Sequence, residues 1–242
     1  MATGLRPLSK GSNRGQVRSV VDILGQRIAA GDYCEGETLP IEQELADSLG
    51  VGRNALREAV KVLSGKGLIS TAPRSGTKIR SRNAWNMLDR DVLYWHSDPD
   101  IATPDFLLSL LEMRLIIEPR AAEMAAERAT RDDIALILAA FDDMQQHESD
   151  SDGRVKADIR LHTSVLAATQ NPFIRHFSHA VSAYLMAHSK IGGAADAEHL
   201  KADLELHHEL AWYIARGKSD MARECAVRML SSGRARVSGL LD

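Results

Sequence analysis

The sequence predicts a mainly α protein, with an N-terminal winged helix-turn-helix over residues 16–80 and a C-terminal antiparallel α-helical bundle over residues 104–242. Three observations carry this reading. The first third holds three short amphipathic segments followed by two strand-like runs around a Pro/Gly turn. The last two thirds are helical pattern, broken only by short polar loops and without alternating strand segments. Charge divides at the same place: residues 1–82 carry 13 Lys/Arg against 8 Asp/Glu, and residues 83–242 carry 17 against 25. A basic third ahead of an acidic remainder points to one end that meets a polyanion and another that does not.

Residues 1–15 read as a flexible basic lead without an apolar signal-peptide core. From Val17, apolar residues at 17, 20, 21, 24 and 28 define one helical stripe, and Gly31 supplies a stop. In ETLPIEQELADSLG, Ile41, Leu45 and Leu49 recur every four residues, and this second helix ends at Gly50. A third helix in VGRNALREAVKVLSGKGLI places Leu56, Val60 and Leu63 inward. Two helices joined by a tight turn at Gly50–Gly52 have helix-turn-helix spacing. Arg53, Asn54, Arg57 and Lys61 then leave the start and outer face of the second, where a major-groove helix presents donors to base edges and phosphates. The runs ISTA and TKIR, around a turn at Pro73–Gly76, predict a β-wing carrying Arg74 and Lys78.

Residues 81–103 read as a linker helix, with Trp85, Leu88, Val92, Leu93 and Trp95 available to pack on either side. About six helices follow. In the one spelled ADIRLHTSVLAAT, Asp158 and His162 stand four apart, so both leave one face beside the apolar stripe of Leu161, Val165 and Leu166. Arg114 is a cation on an otherwise apolar helix, suited to grip a carboxylate with two parallel hydrogen bonds or to pair with Glu118. No apolar run approaches the ~20 residues of a membrane span. The two cysteines, Cys34 and Cys225, lie far apart in no metal-binding or disulfide spacing, as in a reducing cytoplasm.

The run GDYCEGETLPIEQELADSLGVGRNALREAVKVLSGKGLISTAPRSGTKI is similar to the winged helix-turn-helix of the GntR family of bacterial transcription regulators. That resemblance implies that Arg53 and Arg57 read DNA and that the Gly76 region forms the wing tip. The chain departs from the family at Gln43, which stands between Glu42 and Glu44 where an arginine is usual; glutamine suits adenine rather than guanine. Residues 104–237 resemble the FCD effector domain of the FadR subfamily through EMRLIIEPRAA, ADIRLHTSVLAATQNP and LHHELAWYIARGKSDMARECAVRML.

The second resemblance implies a divalent metal, zinc first, held by Asp158, His162 and His207, with Met229 at the fourth ligand position. A thioether is a poor partner there, which leaves a three-ligand site completed by water or effector, or a metal-free pocket whose polar groups bind the effector directly. The effector expected is a small carboxylate or sugar acid such as an aldonate, met by Arg114, Asp158, His162, Asn171, His207 and Arg234. A homodimeric, cytoplasmic repressor released from operator DNA by that effector is the leading expectation. The rival is a single-metal helical hydrolase built on Asp158, His162 and His207, which lacks a second carboxylate at an obvious spacing to act as general base.

Overall fold

Apolar periodicity becomes helix in the order the sequence predicts. The computed structural model describes residues 13–73, 75–98, 100–147, 150–191 and 197–238, and the chain divides into two compact units between His96 and Ser97. In the first unit, α1 (Asn13–Ala30), α2 (Glu42–Leu49) and α3 (Arg53–Gly65) precede the antiparallel pair β1 (Ile69–Ala72) and β2 (Gly76–Ile79). Val20, Leu24 and Ile28 of α1 bury their stripe with Leu45, Leu49, Leu56 and Leu63. Gly50 ends α2 at φ 65°, in the left-handed region, where its N–H caps the carbonyls of Ala46 and Asp47. That reversal turns the chain into α3 and makes the helix-turn-helix.

Several details differ from the sequence expectations. Helix α1 already includes residues 13–15, while residues 1–12 of the expected lead lie outside those described. Ile41 is 65 % exposed because it stands before the first turn of α2 rather than within its apolar stripe. Ala55 and Ala59 accompany Leu56 and Leu63 on the buried face of α3, whereas Val60 is only half-buried. Small residues at 55 and 59 let α3 lie close against α1. The wing register pairs Ile69 with Ile79 and Ser70 with Lys78, so β2 begins at Gly76 and Arg80 lies beyond it. A bridge from Thr38 to Lys78 lays the segment before α2 along the outer edge of β2.

The segment read as a linker is divided. A 3-10 turn at Arg82–Ala84 and α4 (Arg90–His96) pack into the first unit, with Val92, Leu93 and Trp95 buried and Leu88 exposed. Trp95 lies against α1, donating its indole N–H to Asp22 at 3.3 Å. Lys66 reaches Asp89 and Asp91 at 2.7 Å each, and Arg18 reaches Asp91 at 2.8 Å, fastening α4 to α1 and to the end of α3. Burial pushes the Asp91 carboxyl up, but Lys66 and Arg18 outweigh it and hold the group below its usual range.

At Gly25 an added Cβ would fall 2.4 Å from the Trp95 ring carbons, so only glycine admits the indole. Gly25→Ala is therefore expected to destabilise the first unit by about 1–3 kcal/mol, the usual cost of overpacking. Thermal unfolding checks this; an unchanged midpoint would mean that Trp95 does not pack there in solution.

The second unit is a helical bundle: α5 (Pro104–Arg128), α6 (Arg131–Gln146), α7 (Ser151–Ala168), α8 (Pro172–His176), α9 (Ser178–Ile191), α10 (Ala197–Ala215) and α11 (Ser219–Ser238). Thr103 caps α5, and Thr130 with Asp133 forms a reciprocal capping box on α6. Leu161, Val165, Ile137, Phe141, Leu210 and Ile214 share one apolar core. That core leaves the polar faces of α5, α7 and α10 directed toward a common interior.

Candidate functional site

In the first unit, Arg53 and Asn54 are exposed in the first turn of α3, and Arg57 and Lys61 follow on the same outward side. Amphipathicity explains the placement, since the opposite face is spent on Leu56, Ala59 and Leu63. Arg57 pairs with Glu42 of α2 at 2.7 Å, and Lys61 with Glu58 at 2.7 Å; all four side chains remain solvent-accessible, so these pairs cost little to exchange for phosphate. Gln43 donates to both carboxylate oxygens of Asp47 at 2.8 and 2.7 Å. Lys78 is exposed on β2, and Arg74 lies outside the described residues. The surface offers two guanidinium forks, an amide and a wing lysine to a polyanion.

In the second unit, α7 brings Asp158 and His162 together and α10 brings His207 to them. One ligand atom from each lies within 4.8 Å of the others. His162 Nε2 and His207 Nε2 both stand 3.3 Å from Asp158 Oδ1. The other ring nitrogens are already engaged. His162 Nδ1 donates to Glu118 Oε2 at 2.6 Å, and His207 Nδ1 donates to the main-chain carbonyl of Asp203 at 2.7 Å. Each bond fixes a tautomer and turns Nε2 inward. Asp158 Oδ1 and His207 Nε2 are buried without a hydrogen bond of acceptable geometry, although each faces the other. Two buried nitrogen donors and a carboxylate oxygen aimed at one point fit a divalent cation better than they satisfy one another.

The electrostatics agree with that fit. Burial alone would lower the His162 pKa, but Glu118 and Asp158 outweigh it and push the imidazole up to about 9. His207 is likewise raised against burial by Asp203 and Asp158. Without a cation the cluster substitutes protons for it, and Asp158, despite its burial, is held well below the usual carboxylate range by the two rings.

Arg114 joins this interior from α5, 3 % exposed, with its guanidinium 4.6 Å from the Tyr184 ring centroid. It is salt-bridged to Glu118 through Nε and lies 3.4 Å from His162 Nε2 through Nη2. The expected pair with Glu118 along α5 is therefore formed, and the guanidinium lies beside His162 of the cluster. Met229 is buried in the apolar core with Leu161 and Leu210 and offers no nitrogen or oxygen ligand. Asn171 takes the helix-cap role that its place before Pro172 suggests: its side-chain oxygen accepts from the N–H groups of Phe173 and Ile174 and caps α8. Arg234 falls in the last turns of α11, where side chains lie outside those described. His208 is exposed and rests on Phe141, as its position one residue from His207 predicts.

Three participants escaped the sequence reading. Glu118 was visible only as an intrahelical partner, because its bond to His162 spans 44 residues. Tyr184 of α9, whose ring lies against the Arg114 guanidinium, carries no spacing signal toward α7 or α10. Arg154, which holds Asp203 at 2.8 Å, could have been sought one turn before Asp158 on its own helix.

Residues 16–79 match the gntR family of bacterial regulatory proteins, and residues 109–232 match the FCD domain. The chain is 34 % identical, over 90 % of its own length and 95 % of the relative's, to the galactonate operon transcriptional repressor of Escherichia coli K12. Among solved structures, a GntR protein of Streptococcus agalactiae is 26 % identical with a TM-score of 0.50, covering 90 % of this chain and 99 % of that one. A Listeria monocytogenes protein, Lar, described as controlling expression of the agr system, shares the fold with a TM-score of 0.66 at 20 % identity, covering 93 % and 97 %.

A winged helix-turn-helix with an open arginine-bearing helix, followed by a helical domain with a polar interior, defines a DNA-binding transcription regulator. The chain belongs to the GntR family and carries that family's FCD domain. The hydrolase reading does not stand: the family consists of regulators, and its winged domain would have no part in hydrolysis. No helix among the described residues is long and apolar enough to cross a membrane.

Proposed function

We propose that this regulator represses a sugar-acid catabolic operon as a homodimer and leaves its operator when an aldonate such as galactonate enters the FCD cavity. The observation that carries the reading is the buried cluster of Asp158, His162 and His207 beside Arg114, which offers metal ligands and a guanidinium to one small polar anion. The similarity to a galactonate operon repressor over nearly the whole chain supports the choice of anion. Zinc suits a carboxylate–imidazole donor set of this kind, with Asp158 Oδ1, His162 Nε2 and His207 Nε2 as its protein ligands. When bound, such an ion would supply a Lewis-acid grip on a hydroxyl or carboxylate oxygen of the effector. Arg114, Asp158, His162 and His207 form the effector site in this reading.

In the dimer, the two α3 helices enter successive major grooves, with Arg53, Asn54 and Arg57 toward base edges and Gln43, Lys61, Arg74 and Lys78 along the backbone and wing. The effector can weaken this binding only by as much as its affinity differs between the DNA-competent and DNA-released states. The test is titration of labelled operator with and without galactonate and related aldonates at fixed salt. Release by an aldonate is expected; unchanged operator affinity with every sugar acid would remove the effector assignment. Operator affinity should also fall steeply with salt, by about 10³ or more between 50 and 200 mM if six or more phosphates are contacted.

Metal affinity should depend strongly on pH. His162 holds its second proton up to about pH 9, and an ion on Nε2 must expel it. Below that pH each expelled proton is expected to cost about tenfold in affinity per unit, so zinc binding tightens from pH 6 to 8. Titration against a chromophoric chelator checks this. In the metal-free protein the sign is opposite: the stability contributed by protonated His162 is complete below its unfolded pKa and is lost as pH rises through about 9.

A further inference from the structure

The two histidines of the cluster are held in different ways. His207 donates Nδ1–H to a main-chain carbonyl one turn earlier on its own helix, at 2.7 Å. The Asp203 carboxylate is engaged by Arg154 at 2.8 Å and stays 3.7 Å from the ring. His162 depends instead on a side chain from another helix. Its Nδ1 meets Glu118 Oε2 at 2.6 Å, and the same carboxylate takes Arg114 through Nε and through Nη2, the latter at 3.3 Å. The Glu118 side chain is only 6 % exposed. Arg114 Nη2 also approaches the two His162 ring nitrogens at 3.5 and 3.4 Å, which brings a positive charge against an imidazole that must present a lone pair to a cation.

We propose that Glu118 is the positioning residue of the metal site, orienting His162 Nε2 toward Asp158 and screening it from the Arg114 charge. The proposal rests on the metal reading above and assigns to this carboxylate a role beyond the helical ion pair. A carboxylate hydrogen-bonded to a ligand histidine fixes its tautomer and raises its basicity, whereas a main-chain carbonyl fixes orientation with less effect on basicity. Glu118 also lies on α5, which bears none of the three candidate ligands, so it ties that helix to α7 at the cluster.

The experiment is competition for Zn²⁺ between a chromophoric chelator and the full-length protein without effector, comparing wild type with Glu118→Gln, Asp203→Asn and the double variant Arg114→Met/Glu118→Gln. Circular dichroism reports folding in each case. Glu118→Gln is expected to weaken zinc by about 10–100-fold, the typical loss of a carboxylate behind a ligand histidine. Asp203→Asn keeps the main-chain anchor of His207 and should weaken zinc by no more than about fivefold, the worth of a weak ion pair. The double variant removes Arg114 as well, so its affinity should fall between wild type and Glu118→Gln. A Co²⁺ absorption band displaced in Glu118→Gln and kept in Asp203→Asn would show that the effect lies at the ligand rather than in general stability.

A folded Glu118→Gln protein that binds zinc as tightly as wild type would overturn the proposal, as would an equal loss in Asp203→Asn. If Glu118→Gln fails to fold because Arg114 is left unpaired, the uncharged double variant decides: weaker zinc binding supports the role, and wild-type affinity rejects it. A wild-type protein that binds no zinc removes the metal reading itself, an outcome distinct from both.

Discussion

Replacing Arg53 by alanine is expected to reduce operator affinity by two to four orders of magnitude while leaving the fold intact. Arg53 is exposed at the first position of α3, and its side chain contributes nothing to the packed face made by Leu56, Ala59 and Leu63. A guanidinium that meets guanine O6 and N7 together contributes about 1–3 kcal/mol of discrimination. In a two-fold dimer the loss occurs twice, about 2–6 kcal/mol in all. The measurement is fluorescence anisotropy with specific and scrambled duplexes at one salt concentration, beside a melting curve. Arg53→Lys should retain nonspecific binding and lose discrimination, because lysine supplies charge without the fork. Equal affinity of wild type and Arg53→Ala for the operator would remove α3 as the reading helix.

Asp158→Asn is expected to have the largest effect in the second unit. Its Oδ1 faces both histidine Nε2 atoms, at 3.3 Å each. An amide in its place keeps the shape and removes the charge that draws a cation to the cluster. Structural zinc sites gain about 10–16 kcal/mol from four ligands, so one ligand is worth about 3 kcal/mol, and zinc affinity should fall by about 100-fold or more. Removing the metal from wild type with a chelator should reproduce the variant's response to aldonates in the operator assay. If Asp158→Asn retains zinc at wild-type affinity, the cluster is not the metal site. If it loses zinc but still releases DNA with an aldonate, the effector binds without the ion, through Arg114 and the histidines themselves.

Helix positions in the first unit were readable because each helix buries one stripe of side chains whose period survives in the sequence, as at Val20, Leu24 and Ile28. Departures occur where a cap or a small residue replaces the apolar pattern, as with exposed Ile41 and buried Ala55 and Ala59. The segment around Trp85 and Trp95 showed aromatic content but not which body would take it. That was settled by the gap at Gly25 and by Lys66, which lie far from it in sequence.

In the second unit the four-residue spacing of Asp158 and His162 is a local fact, and a helix makes it a shared face wherever that helix packs. What the sequence determined by itself is therefore local: the helices, the wing, the exposed arginines of α3 and the Asp/His pair, all fixed by periodicities of a few residues. Only the tertiary structure decided that α10 lies where His207, the partner that the family resemblance implied, meets the Asp/His pair. It also decided that Glu118, 44 residues from His162, holds both that imidazole and Arg114. Contacts between helices depend on how whole faces pack, and no short-range pattern records which polar side chains will meet inside.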